Sequence, residues 1–238
     1  MDSRRENANP SRDGSTEFYD TMTRDERSGL RGLYAITDAQ LSPQRHLLQH
    51  VEQALLGGAA IIQYRDKTDS ASRRLADATA IRRLCSVHAA RLIINDDIEL
   101  AKRVGADGVH LGAEDNAPGY ARTMLGEDAI IGVSCYNRID LAHRAAASGA
   151  DYIAFGRFFP SRVKPDAVQA HPELLTIAKN TFKLPLVAIG GITPENGAPL
   201  IRAGADMLAV IHGVFGQTDI QAACRRLTRL FEPEEKSR

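Results

Sequence analysis

The sequence predicts a closed (β/α)8 TIM barrel in a single α/β domain, and three observations lead there. From Leu30 onward, short apolar runs alternate eight times with segments of helical period. A Gly-Ala-Asp triplet recurs at Gly105-Ala106-Asp107, Gly149-Ala150-Asp151 and Gly204-Ala205-Asp206, each time between a helical segment and the apolar run after it. The first loop, after Thr37-Asp38, has no G-x-G-x-x-G turn, which weighs against an open doubly wound sheet and a dinucleotide site. Regular alternation gives a parallel sheet, and eight units close it into a barrel.

The strand segments are residues 33–37, 60–64, 92–95, 108–111, 130–134, 152–156, 186–189 and 207–211. Ser42-Pro43 offers an N-cap and a first-turn proline for a helix over 44–56 that Gly57 stops. Asp69 or Ser70 caps a longer helix reaching Val87. Helices over 97–104, 118–125 and 138–148 end at Gly105, Gly126 and Gly149. His171-Pro172 opens a helix over 173–180, Thr193-Pro194 one over 195–202, and residues 219–231 form the last.

A chain of 238 residues, 43% hydrophobic, suits one large domain over 30–231, whose core needs no disulfide or metal staple. The 30 basic and 30 acidic residues cancel, so nothing in the overall charge calls for nucleic acid, and anion binding must be local. Cys85, Cys135 and Cys224 are odd in number and have no metal-ligand spacing, which points to a reducing cytoplasm. No apolar run has the length of a membrane span, so no membrane partner is expected. Residues 1–29 are rich in Asp, Glu, Arg, Ser and Asn, have no apolar signal core, and read as a disordered tail, not a signal peptide. Residues 232–238 read as a flexible C-terminus.

Function concentrates at the strand ends. In Ile61-Ile62-Gln63-Tyr64-Arg65-Asp66-Lys67, alternation puts Ile61, Gln63 and Arg65 on one face, which Lys67 continues if the chain stays extended. That face passes from apolar to anion-binding at the end where barrels of this type carry their active sites. The plain alternative is a strand that has reached solvent. Asp96 and Asp115, on neighbouring loops among these cations, suggest Mg²⁺ shared with a polyphosphate. Against this, Asp96 or Asp97 could simply cap the next helix, and Asp115 lies in a loop where Asp is common.

Gly190-Gly191 and Gly213 follow strands 7 and 8, where such barrels bind phosphate through backbone amides. Ser134 can donate to a phosphate oxygen or satisfy local backbone. His212 sits beside the phosphate loop, whereas His110 reads as a hydrogen-bonded core or rim residue and Cys135 as a buried structural thiol. No lysine lies within an apolar strand, which disfavours Schiff-base chemistry.

From Leu30 to Phe231 the constellation resembles the thiamin-phosphate synthase family. The matching stretches are Tyr34-Ala-Ile-Thr-Asp38, Gln63-Tyr-Arg-Asp-Lys67, Ile94-Asn-Asp96, Asp107-Gly-Val-His-Leu-Gly112 with Asp115, Gly132-Val-Ser-Cys135, Phe155-Gly156 with Pro160-Ser161 and Lys164, and Ala188-Ile-Gly-Gly-Ile192. The resemblance implies an enzyme joining a pyrimidine diphosphate to a thiazole phosphate, with Mg²⁺, to give thiamin phosphate and diphosphate. It implies that Gln63, Arg65, Lys67 and Asn95 hold the pyrimidine diphosphate and that Asp96 and Asp115 bind the metal. Ser134, Ser161 and Lys164 would contact phosphate oxygens, with Arg65, Lys67, Ser134 and Lys164 assisting departure of diphosphate. Gly190, Gly191, Ile211 and His212 would hold the thiazole phosphate.

The chain departs from the family's usual residues at Ala113, Arg157, Ser161, Val163 and His212. Ser161 keeps a hydroxyl and Val163 does not. Two other readings follow: a thiazole tautomerase-like barrel using His212 as acid or base, and a catalytically silent barrel that binds thiamin precursors. A homo-oligomer stays open.

Overall fold

Period-two alternation divides each strand between two cores. In the computed structural model, which describes residues 30–112, 115, 117–160 and 168–233, the strands are β1 (Gly32–Ile36), β2 (Ile61–Tyr64), β3 (Arg91–Asn95), β4 (Gly108–Leu111), β5 (Ile130–Ser134), β6 (Tyr152–Gly156), β7 (Leu186–Ile189) and β8 (Met207–Val210). All pair in parallel with their sequence neighbours, and β8 returns to β1, closing the barrel. Inward positions such as Tyr34, Ile61, Ile93, Ile130, Tyr152 and Met207 fill the interior. Their outward neighbours, including Leu33, Ile62, Leu92 and Ile131, pack under the helices. Both faces are thereby buried, as a parallel sheet requires.

The described helices are α1 (Gln44–Leu56), α2 (Ala71–Val87), α3 (Ile98–Val104), α4 (Pro118–Leu125), α5 (Ile139–Ala147), α6 (Glu173–Thr181), α7 (Ala198–Arg202), α8 (His212–Phe215) and α9 (Ile220–Thr228), followed by a 3₁₀ turn over Arg229–Phe231. Ser70 caps α2 by accepting from the Arg73 amide. Asp219 caps α9 in the same way through Ala222. None of these helices is long and apolar enough to cross a membrane.

Several element bounds shift by a residue or more, and three of the changes have a visible cause. Pro43 itself takes the N-cap position of α1, because the Ser42 hydroxyl is engaged by His50 Nδ1 at 3.0 Å. Helix α7 starts later than expected, because Asn196 ties the preceding turn together, accepting from the Thr193 amide at 2.8 Å and donating to the Gly191 carbonyl at 3.0 Å. The chain turns into α8 directly after Val210, so the strand ends one residue short of Ile211.

The Gly-Ala-Asp triplets acquire a physical role at the bottom of the barrel. Each aspartate donates its amide to the carbonyl of the preceding strand: Asp107 to Leu92 at 2.9 Å, Asp151 to Ile131 at 2.7 Å and Asp206 to Leu186 at 2.8 Å. Its carboxylate then accepts the amide of that same residue, at 2.7, 2.8 and 2.9 Å. Arg82, Arg122 and Lys179 neutralise the three carboxylates in turn. The structure adds a fourth member: Gly58-Ala59-Ala60 precedes β2, and Ala60 donates to the Leu33 carbonyl at 2.9 Å with no carboxylate to complete the clamp.

Candidate active site

Beyond β2 the backbone alternation continues and separates two functions. Gln63 points inward and is 2% exposed. Arg65 lines the same cavity, its guanidinium 3.8 Å from the Asp38 carboxylate, and its amide is fixed by Thr37 Oγ1 at 2.9 Å. The intervening residues anchor the loop outward. The Asp66 carboxylate pairs with Arg73 at 2.7 Å and accepts the Thr68 amide at 2.8 Å, and the Tyr64 hydroxyl donates to Asp66 at 3.3 Å. The expected run of Gln63, Arg65 and Lys67 is therefore held by the residues between them.

At the ends of β3 and β4 the two aspartates after Asn95 part ways. Asp97 caps α3, accepting the Leu100 amide at 2.8 Å and pairing with Arg74 at 3.1 Å. Asp96, with φ 64°, directs its carboxylate to the Lys67 ammonium and to Asp115. Asp115 in turn accepts the Gly112 amide at 2.6 Å. Burial pushes the Asp96 carboxyl up, but the bonds from Lys67 and Asp115 outweigh it and hold it below the usual range. Asp115 is raised by burial and by the Asp96 charge beside it. The Lys67 side chain is 61% exposed, so its ion pair holds by no more than about 1 kcal/mol, and the ammonium exchanges partners readily.

The central cavity opens on this end of the barrel with a volume of about 390 Å³. Gln63, Arg65, Asn95 and Ser134 line it from β2, β3 and β5, and Gly190, Gly191, Ile211 and His212 from β7 and β8. Both glycines have positive φ, 104° and 63°. A Cβ on Gly190 would meet the Arg157 Cβ at 2.3 Å, and one on Gly191 would meet the Pro160 carbonyl at 2.3 Å, so this close backbone approach admits glycine alone. Arg157 and Gln217 line the same wall. Ser161, Val163 and Lys164, like Ala113, lie outside the described residues.

The floor of the cavity is bonded across the barrel, between positions far apart in the chain. Gln63 Nε2 donates to the Tyr34 hydroxyl at 2.7 Å, which lies 2.8 Å from the Tyr152 hydroxyl. Tyr152 reaches His110 Nδ1 at 2.9 Å, and His110 Nε2 reaches the Ser134 hydroxyl at 2.9 Å. His110 is thus hydrogen-bonded at the rim, as expected of it, but it also joins Gln63 to Ser134. The inward parity of Tyr34 and Tyr152 was the available signal; their meeting across the barrel was not. Cys135 is fully buried, and burial pushes its thiol up to about 12, which removes it as a nucleophile.

Cationic side chains and glycine turns converging on one mouth of a parallel barrel define a (β/α)8 enzyme that handles phosphorylated substrates. A family model described as Thiamine monophosphate synthase matches residues 33–214, and the chain belongs to that family. It is 51% identical over 203 residues to the thiamine-phosphate synthase of Thioalkalivibrio sulfidiphilus, covering 85% of this chain and 96% of the relative. It is 52% identical over 208 residues to that of Marinobacter nauticus, covering 86% and 93%. Among solved structures, the thiamine phosphate pyrophosphorylase of Pyrococcus furiosus superposes with a TM-score of 0.78 at 35% identity, over 86% of this chain and 96% of that one.

Proposed function

We propose that the chain is a thiamin-phosphate synthase, joining 4-amino-5-hydroxymethyl-2-methylpyrimidine diphosphate to 4-methyl-5-(2-phosphoethyl)thiazole and releasing diphosphate. The observation that carries this reading is the convergence of Gln63, Arg65, Asn95 and Ser134 on one cavity, with Gly190-Gly191 facing them from β7. Gln63, at the floor, reads the aminopyrimidine. Arg65, Lys67, Asn95 and Ser134 take the diphosphate, together with Ser161 and Lys164. The thiazole phosphate lies against Gly190, Gly191, Ile211 and His212. Arg157 and His212 line that wall and supply phosphate contacts that Val163, lacking a hydroxyl, does not.

Asp96 and Asp115 suit Mg²⁺. Two adjacent carboxylates, one driven up and one down, are held apart in protonation by mutual repulsion that a dication would relieve. Among the described residues no cluster of three or more His, Cys, Asp and Glu could hold a metal, so the shell would be completed by phosphate and water, as Mg²⁺ prefers. Bound there, the ion would neutralise charge on the departing diphosphate.

The chemistry is a dissociative substitution. The C–O bond to diphosphate breaks, the electron-rich aminopyrimidine carries the resulting cation, and the thiazole nitrogen attacks with its own lone pair. No general base is required, which accords with a site made of anion ligands. Each cation held about 4 Å from the leaving oxygens contributes about 1–4 kcal/mol, depending on local dielectric. Three free, buried cysteines support a reducing, cytoplasmic setting.

The test is a coupling assay with both substrates, with and without Mg²⁺, following thiamin phosphate and diphosphate together. Equal, Mg²⁺-dependent release of the two supports the assignment. Binding of both substrates by folded protein without product would replace it with the silent barrel. Proton exchange on the thiazole without coupling would replace it with the tautomerase-like enzyme.

A further inference from the structure

The bonded floor of the barrel links two residues that the proposed reaction uses at opposite ends of one substrate. We infer that Tyr34, Tyr152 and His110 are positioning residues forming a directional hydrogen-bond relay, which turns the Ser134 proton toward the leaving diphosphate when Gln63 accepts from the pyrimidine amino group. The inference rests on the substrate roles given above to Gln63 and Ser134.

Proton counting sets the direction. Each phenol and the serine carries one proton to donate, and a neutral imidazole carries one N–H. Gln63 Nε2 donates to Tyr34, so the single Tyr34 proton goes on to Tyr152 and the Tyr152 proton to His110 Nδ1. Nδ1 is then the bare nitrogen, and the N–H sits on Nε2, where Ser134 Oγ accepts it. The Ser134 proton is left out of the chain and available to the cavity that Ser134 lines. If the Gln63 amide is rotated, every link reverses, and Ser134 spends its proton on His110. An amino group donating to Gln63 Oε1 keeps the amide in the productive orientation, so recognition of the base at β2 sets a donor at β5.

The barrel is built around this chain. A Cβ on Gly132 would lie 1.9 Å from Cζ of Tyr152 and 2.3 Å from its oxygen, so Gly132 concedes the space the ring occupies. His110 stacks on that ring with centroids 5.6 Å apart and planes 17° apart. Burial raises both tyrosines above their ordinary range, so both keep their protons throughout the working pH range. A floor serving packing alone would be met by phenylalanine at both positions.

Tyr152→Phe cuts the relay at its centre without touching substrate. The expected result is a loss of about 10–100-fold in kcat, with KM for the thiazole phosphate unchanged. In a Ser134→Ala background the same change should alter kcat by less than about 2-fold, because the group it acts through is gone. Losses that multiply in the double variant, or an unaffected Tyr152→Phe beside a crippled Ser134→Ala, overturn the relay. Full activity in Ser134→Ala would instead remove the role given to Ser134 itself. If Tyr152→Phe does not fold, ¹⁵N-histidine spectra of the unaltered protein with the pyrimidine diphosphate decide: a neutral His110 protonated at Nε2 alone supports the relay, and a proton on Nδ1, alone or in the imidazolium, overturns it.

Discussion

Asp97 Oδ1 accepts the Leu100 amide at 2.8 Å, and by capping α3 it leaves the preceding carboxylate, Asp96, to Lys67 and Asp115. With the metal-binding role proposed for Asp96, two adjacent aspartates would divide stability from chemistry. Asp97→Ala should cost about 0.5–2 kcal/mol through the lost cap and leave turnover Mg²⁺-dependent. Asp96→Ala should retain the fold while turnover collapses. Thermal melts and turnover measured on both variants check the division, and it fails if the two exchange phenotypes.

Arg65 is held at its backbone by Thr37, while among the described residues its guanidinium is paired only with the distant Asp38 carboxylate. Removing the side chain therefore disturbs little of the fold. Arg65→Ala should change stability by about 0.5 kcal/mol or less and reduce kcat/KM by about 10²-fold or more. Steady-state kinetics beside a denaturant titration would read both, and unchanged kinetics would remove Arg65 from the site.

Burial pushes the thiols of Cys85, Cys135 and Cys224 up from 9.0 to about 12. The native protein should not react with a thiol reagent at pH 8, and all three should react once it is unfolded. The sign of the stability effect follows. The unfolded thiols ionise first, so the contribution is complete below about pH 9 and is lost as pH rises through about 12. Denaturation midpoints should fall across that window, and Cys→Ala or Cys→Ser variants that fold should show a shallower fall.

Asp151 accepts the Ile131 amide at 2.8 Å and pairs with Arg122 at 2.6 Å, with little of either side chain exposed. Asp151→Ala strands the Ile131 amide and takes the counter-charge from Arg122, whose guanidinium keeps its bonds to the backbone carbonyls of Glu127, Ala129 and Gly149. The loss should be about 2–4 kcal/mol, with KM for both substrates unaffected because the clamp lies at the far end of the barrel from the cavity. Calorimetry and kinetics on the one variant separate the two effects.

The barrel was legible because eight apolar runs of strand length, each followed by a helix with its own start or stop residue, leave few other arrangements. Pro118–Leu125 matches its element end to end, as does Gln44–Leu56. What stayed hidden depended on contacts distant in sequence or on very short turns. The sequence offers Ser42 as a cap, but nothing in it says that His50 takes the hydroxyl. Helix α8 spans four residues, too few for a period to show. The cavity residues could be named because strand ends share one mouth, whereas the bond between Tyr34 and Tyr152 joins positions 118 apart. Asp96 and Asp97 were indistinguishable as letters, and only φ and the cap separate them.

The missing carboxylate at Ala60 divides the molecule unevenly. Three quarters of the ring are sewn at the base by an aspartate, while the quarter formed by β1 and β2 relies on a single backbone bond there. That quarter also carries Gln63, Arg65 and Lys67. Amide hydrogens at the base of β1 and β2 should therefore exchange before their counterparts elsewhere in the ring, and saturating pyrimidine diphosphate should slow them most. In the proposed complex the ligand would act as the fourth stitch, and part of its binding energy would go into tightening that wall.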